Sequence, residues 1–410
     1  MKNFFNNNNF FDIAHMNKFL SFFLVIIFFG CENKESSINY IGNLVSNDSI
    51  SIPFKFKYQK SGITIYNGGE SVFLQVNNSF KDSLRLESSF FEDYINFKKN
   101  GDTINGYLYN QSLSRKILFY AIPDSGIFQN KFFSDSIDIS GEWRIIFNFL
   151  KSNSYNGKLI VNQTNNDVIS TVRTETGDYG YMQGKINYNE LSISNFNGSR
   201  AYLIKGKLHN DTIRGDFYRG NYGYSNFIAF KDDNFKLSDP YGLTRLKKGY
   251  KSFDFKFEDI NGKVISNNDK KFEDKLILVQ IMGSWCPNCI DESKYLSQLS
   301  RKYKDISIVS IAFEYAKEKN QAINNLKKIK KNLNIEYDLL LGGYGNTDKK
   351  LVLEKFNSLD KLISYPTLVV MDKNKIVRKI HTGFNGPATA NAYEKFKYNF
   401  EEFLKLLIAE

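Results

Sequence analysis

The chain has 410 residues, 42% apolar and 24% charged, with a formal net charge of +11. That length accommodates two or three domains with a core in each, and the composition excludes a multi-span membrane protein. The basic excess does not mark a nucleic-acid binder: the lysines are scattered beside acids, and no basic stripe alternates with aromatic residues. The densest run, Lys327-Lys328-Ile329-Lys330-Lys331, reads as the solvated face of a helix.

In residues 16–31 a lysine, Lys18, precedes an almost unbroken apolar run that ends at Gly30-Cys31. The run is about half the length needed to cross a bilayer core. It has the form of a secretory signal, and Gly30-Cys31 resembles a bacterial lipobox. Residues 1–31 are therefore expected to be a signal peptide whose cleavage leaves Cys31 as a lipidated N-terminus. An uncleaved anchor or a buried helix is the alternative. Residues 32–50, polar and rich in Ser and Asn, read as a tether from the membrane.

Residues 51–231 carry short runs of period-two alternation, such as Ile52–Tyr58, Ser71–Val76 and Thr103–Tyr109, separated by turn signals such as Asn67-Gly68-Gly69 and Asn100-Gly101-Asp102. This pattern predicts an all-β domain, an antiparallel sandwich or barrel. A second β block is expected to begin near Gly141-Glu142-Trp143, dividing the region into 51–138 and 139–231. His209 falls in a hairpin turn with no metal partner nearby in sequence.

The charged stretch 232–252, with Asp239-Pro240 and Lys247-Lys248-Gly249, reads as a linker. Beyond it, over 253–410, strand-like and helix-like segments alternate. Leu276–Ile281 is a continuous apolar run of the kind found in a buried strand. Residues 287–303 predict a helix, Ile306–Phe313 a second buried strand, and Lys317–Asn332 an amphipathic helix. A strand at Tyr337–Leu341, a short helix at Lys349–Phe356, a hairpin across Asp372-Lys373-Asn374-Lys375 and a helix over 391–408 complete an α/β layer fold.

The chain has only 3 cysteines. With Cys31 assigned to lipid, Cys286 and Cys289 remain, in Trp285-Cys286-Pro287-Asn288-Cys289 at a strand-to-helix junction. A helix N-terminus offers unpaired N–H groups and partial positive charge, which favour a thiolate at Cys286. Cys289, one helical turn on, is placed to resolve a mixed disulfide. Pro287 suits the first turn, where its missing N–H is not needed, and Trp285 is expected to pack beside the pair. Zinc would need two further ligands, and His209 and His381 are isolated, so no metal is expected. A purely structural thiol pair is the remaining alternative.

These residues carry a resemblance. Segment 253–408 resembles the TlpA/ResA branch of the thioredoxin-like superfamily in Phe253-Asp254-Phe255, Asn261-Gly262-Lys263, Gly283-Ser284-Trp285-Cys286-Pro287-Asn288-Cys289 and Tyr365-Pro366-Thr367. The β-rich region before it is similar to extensions found in lipoproteins of Bacteroidetes-type bacteria. The resemblance implies a thioredoxin-like fold and a thiol–disulfide oxidoreductase that reduces protein disulfides in the cell envelope. It makes Cys286 the nucleophile and Cys289 the resolving thiol. It implies a cis Tyr365–Pro366 bond facing the dithiol, with Tyr365, Pro366 and Trp285 forming the substrate platform. It also implies that Glu292 relays protons to the pair, the alternative being a solvated first-turn acid. Glu314 aligns with another acid near the family's active site, or is an ordinary loop acid.

The expected partners are disulfide-containing proteins, the membrane through the lipid anchor, and a membrane electron donor, since the compartment is oxidising. No flavin, nicotinamide or metal cofactor is expected. The Pro287-Asn288 dipeptide differs from the Gly-Pro of thioredoxin and leaves the direction of electron flow open; the oligomeric state is open as well. Two other readings stand. One is a peroxiredoxin-like antioxidant activity, which a Thr/Ser-x-x-Cys setting would fit better. The other is an envelope binding protein with an auxiliary redox domain.

Overall fold

Alternation of inward and outward side chains governs the first half of the chain. The computed structural model describes residues 37–80, 83–125 and 137–410; the signal and lipidation site expected at 1–31, Cys31 included, lie outside them. The strands β1 (Ile38–Asn47), β2 (Ile50–Gln59), β3 (Gly62–Asn67), β4 (Glu70–Phe80), β5 (Ser83–Ser88), β6 (Tyr94–Asn100), β7 (Thr103–Asn110) and β8 (Arg115–Pro123) pair in sequence order, and β8 returns to β1, closing a barrel. Its interior holds Tyr40, Phe56, Ile65, Leu86, Ile95 and Phe119, each from an alternate position. Closure removes both sheet edges.

The expected tether is corrected here. Residues 38–47 form β1, with Tyr40 and Leu44 fully buried. The Ser- and Asn-rich composition conceals a period-two pattern, Tyr40, Gly42, Leu44, which is what the barrel uses.

The second β unit comprises β9 (Gly141–Phe147), β10 (Tyr155–Thr164), β11 (Asp167–Thr174), the two-residue β12 (Gly177–Asp178), β13 (Met182–Asn187), β14 (Glu190–Phe196), β15 (Ala201–His209), β16 (Thr212–Arg219) and β17 (Gly223–Lys231). β10 pairs with both β9 and β11, so this sheet also closes on itself, around Trp143, Phe147, Ile193 and Phe217. The two units are joined by Asn67, whose side chain donates to the Phe196 carbonyl at 2.9 Å and accepts the Phe196 N–H at 3.1 Å. The Phe196 ring lies 4.8 Å from that of Phe54, within the first barrel's core.

Residues 232–252 run over the C-terminal domain and are held to it: the Arg245 N–H donates to Asp360 Oδ1 at 2.9 Å, and Thr244 is buried. That domain is a seven-stranded sheet in the order β19 (Val264–Ser266), β18 (Lys256–Asp259), β22 (Asp338–Tyr344), β21 (Ile306–Glu314), β20 (Leu276–Met282), β23 (Thr367–Met371), β24 (Val377–Thr382). β20, β21 and β22 are parallel, β23 runs antiparallel to β20, and β24 pairs antiparallel with β23. Helices α1 (Pro287–Lys302) and α2 (Lys319–Asn332) make the crossovers. The short α3 (Lys349–Leu353) is capped by Asp348, and α4 (Asn391–Ala409) closes the chain. Every residue of β20 is buried, as its unbroken apolar run predicts. The fold class read from the sequence holds: the C-terminal part is thioredoxin-like and the N-terminal part all-β, with barrels as its form.

The first barrel also docks on the C-terminal domain. Its loop after β5 places Phe91 in the C-terminal core, while Lys328 Nζ of α2 donates to the Phe91 carbonyl at 2.8 Å. Asn332 Nδ2 donates to the Ser89 carbonyl.

Candidate functional site

The end of β20 feeds directly into α1, and the two cysteines sit at that junction. Cys286 is the N-cap of α1, with φ −99° and ψ 114°, and Pro287 occupies the first turn. The Cys289 N–H donates to Cys286 Sγ at 3.4 Å, so a free backbone donor of the helix start points at the first sulfur. Across the gap, Cys286 Sγ donates to the Tyr365 carbonyl oxygen at 3.4 Å. The Tyr365–Pro366 bond is cis. Both thiols are free; Cys286 is 6% exposed and Cys289 fully buried. Burial pushes the Cys289 thiol well above its ordinary value, and the neighbouring Cys286 adds to the shift.

Aromatic rings fix the approach. Trp285 Nε1 donates to the Phe313 carbonyl at 2.9 Å, and its ring lies 4.4 Å from Tyr315 and 5.4 Å from Tyr365. The Tyr365 hydroxyl donates to the Thr347 carbonyl at 3.1 Å. The residues read from the sequence as catalytic and substrate-facing are thus brought together around Cys286.

Glu292 lies one turn beyond Cys289 and is fully buried. Gln280 Nε2 donates to Glu292 Oε2 at 2.9 Å and to the Cys289 carbonyl at 3.2 Å, while Glu292 Oε1 has no hydrogen-bond partner. Burial raises this carboxyl to about 8, so the alternative of a solvated first-turn acid does not describe its surroundings. Glu314 is buried as well; it accepts the Ser284 N–H at 2.8 Å and the Ser284 hydroxyl, and burial raises it to about 7. Gln280 was missed in the sequence. Its signal was there: it is the one polar residue in the apolar run of β20, and its amide oxygen accepts from the Ser293 and Ser310 hydroxyls at 3.0 and 2.6 Å. Among the described residues, no cluster of His, Cys, Asp and Glu is suited to a metal ion.

Cys286 opens into a cleft of about 500 Å³ to which all three units contribute. The first barrel supplies Phe73 and Phe90, the second unit Thr176 and Asp178, and the C-terminal domain Trp285 and Tyr365. No sequence signal locates these β-domain walls, because they meet the dithiol only through the domain packing.

Residues 249–380 match the model of the AhpC/TSA family. The thioredoxin-like protein YneN of Bacillus subtilis (strain 168) is 23% identical over 139 residues, covering 34% of this chain and 73% of that protein. The thiol-disulfide oxidoreductase ResA of Bacillus cereus (strain ATCC 10987 / NRS 248) is 27% identical over 165 residues, 39% of this chain and 79% of that protein. Among solved structures, a thiol:disulfide interchange protein of the thioredoxin family from Chlorobium tepidum TLS is 20% identical with a TM-score of 0.30, covering 40% of this chain and 98% of that one.

Proposed function

From a C-terminal domain that is TlpA/ResA-like and of the thioredoxin superfamily, we propose that this protein is a thiol–disulfide oxidoreductase that reduces protein disulfides through Cys286 and Cys289. The observation that carries the reading is Cys286 Sγ at the start of α1, with the Cys289 N–H on one side at 3.4 Å and the Tyr365 carbonyl on the other at 3.4 Å. A helix start stabilises negative charge on that sulfur.

The exchange runs in two steps. Cys286 thiolate attacks one sulfur of a substrate disulfide; that S–S bond breaks, one substrate sulfur leaves as thiolate and takes a proton, and a mixed disulfide forms on Cys286. Cys289 then loses its proton and attacks Cys286 Sγ, which expels the second substrate sulfur. The substrate gains two electrons and the protein holds a Cys286–Cys289 disulfide. A buried, high-pKa thiol needs a base for the second step, and Glu292, with a free oxygen and a raised pKa, is the group we assign to it. Tyr365, Pro366 and Trp285 form the platform against which the substrate lies. Re-reduction needs a donor. On this reading the donor is membrane-bound and the chain is held in the cell envelope by lipid on Cys31, facing an oxidising compartment.

A Cys289→Ser variant should accumulate a covalent mixed disulfide with a model disulfide protein, visible on a non-reducing gel, while Cys286→Ser should accumulate none. Trapping by neither variant would remove the redox reading. The reduction potential of the pair then sets direction: roughly −270 mV supports a reductase, roughly −120 mV an oxidant. The AhpC/TSA match favours a second reading, peroxide reduction at Cys286. Peroxide consumption by the reduced protein, with no reduction of any disulfide, would select it.

A further inference from the structure

The turn between β11 and β12 lies against the redox motif. A Cβ on Gly177 would stand 1.7 Å from Asn288 Nδ2, between the two cysteines, and 2.7 Å from the Phe384 carbonyl oxygen. Gly177 has φ +131°, a backbone state that other residues rarely adopt, so both conformation and space call for glycine here. Contacts on both sides pin the turn. The Ser364 hydroxyl, two residues before Pro366, donates to the Thr176 carbonyl at 3.0 Å. Asp178, buried in the second β unit, accepts the Gly386 N–H of the C-terminal domain at 2.5 Å and the Gly180 N–H at 2.7 Å. From the other side, a Cβ on Gly383 would stand 2.8 Å from the Glu175 carbonyl oxygen. The turn braces itself through Thr174 Oγ1, which donates to the Gly177 carbonyl at 2.8 Å.

We propose that the segment Thr174–Asp178 is a specificity element. By filling the Asn288 and Ser364 flank of the dithiol, it directs substrates into the three-walled cleft, which takes a disulfide borne on a narrow, extended carrier and turns away one set in a folded surface. The inference rests on the redox reading for its substrate and on the packing for its gate. The cleft's volume of about 500 Å³ holds a few residues of extended chain, and its aromatic walls, Phe73, Phe90, Trp285 and Tyr365, suit apolar side chains flanking the disulfide. Both barrels supply walls of the cleft onto which Cys286 opens, and these are the walls that would hold a folded surface off the sulfur.

The gate is tested without any redox turnover. In the full chain carrying Cys31→Ser and Cys289→Ala, Cys286 is the one remaining thiol. Its modification rates by N-ethylmaleimide and by a poly(ethylene glycol)-maleimide are compared. The bulky reagent should lag well behind the small one. Ser364→Ala, which removes one hydrogen bond to the turn, should narrow that gap roughly fivefold. Gly177→Ala, which drives a methyl into Asn288, should narrow it by more than about tenfold. Should Gly177→Ala fail to fold, Ser364→Ala with the parent still decides. Equal gaps in the parent and in Ser364→Ala would overturn the gate.

A second arm uses the reduced wild-type dithiol with glutathione disulfide, an unfolded disulfide-linked peptide and a folded protein with a surface disulfide. Reaction with either narrow disulfide, and lagging of the folded one that Ser364→Ala relieves, supports the proposal; the faster narrow probe says whether the carrier is a small molecule or a polypeptide. A folded substrate reduced as fast as the peptide overturns it. If no disulfide reacts while the maleimide gap stands, the redox reading fails and the gate survives.

Discussion

At Glu292 a carboxyl is fully enclosed, with one oxygen on Gln280 and the other unpartnered. Burial raises it to about 8, so it accepts a proton readily near neutral pH. If it takes the Cys289 proton, the resolving step should accelerate as pH rises toward about 8 and then level off. Glu292→Gln keeps an acceptor for Gln280 but cannot take a proton. It should slow resolution of the mixed disulfide by about a hundredfold and erase the inflection near pH 8, as read by stopped-flow kinetics across pH. A variant with the parent's profile would take Glu292 out of the proton path. Cys286 and Cys289 are legible in the sequence because one strand-to-helix junction carries both, and helical spacing is a local rule; Glu292 is singled out only by the resemblance to the TlpA/ResA branch. Gly177 and Asp178 are not legible. Nothing near them in the chain says which surface they will touch, and their meaning comes from Asn288 and Gly386, far away in sequence.

Among the elements, β1 separates what composition says from what periodicity says. Its Ser and Asn suggest a solvated tether, yet Tyr40 and Leu44 fill the barrel and β1 bridges β2 and β8. A chain that starts at residue 51 loses this strand, leaves two edges unpaired and empties two large side-chain sites, each worth about 2–5 kcal/mol. A chain that starts at residue 37 keeps the barrel closed. The shorter chain should melt at a clearly lower temperature and bind a hydrophobic dye, by circular dichroism and fluorescence; equal melting curves would mean β1 is dispensable. Strands such as those over Ile52–Tyr58, Ser71–Val76 and Thr103–Tyr109 are readable from alternation, and the helix within Lys317–Asn332 from its apolar spacing. Barrel closure is not, because pairing of β8 with β1, or of β10 with both neighbours, is a long-range choice that turn signals do not encode.

Across the whole molecule, buried carboxyls in two of the three units tie stability to pH. Asp178, from the second β unit, reaches the C-terminal domain and is raised from 3.8 to about 6, chiefly by burial. Glu314 is raised from 4.5 to about 7 by burial, with a contribution from Glu92 of the first barrel. Glu292 is raised from 4.5 to about 8. For an acid whose folded pKa exceeds its unfolded one, the native state binds more protons between the two values. Stability therefore falls as pH rises through that window; below it the group costs nothing, and above it the full loss persists with no further pH dependence. Each group costs about 1.4 kcal/mol per pH unit across its window. All three act between about pH 4.5 and 6, two between about 6 and 7, and Glu292 alone between about 7 and 8. The difference between parent and variant isolates each term from the surface charges. Asp178→Asn should flatten the urea-midpoint profile only below about pH 6, and Glu292→Gln should flatten it up to about pH 8. If Glu292→Gln leaves the fall between about pH 7 and 8 unchanged, the carboxyl is already ionised in the native state. The proton transfer at Cys289, which rests on the same burial, would then lose its physical basis.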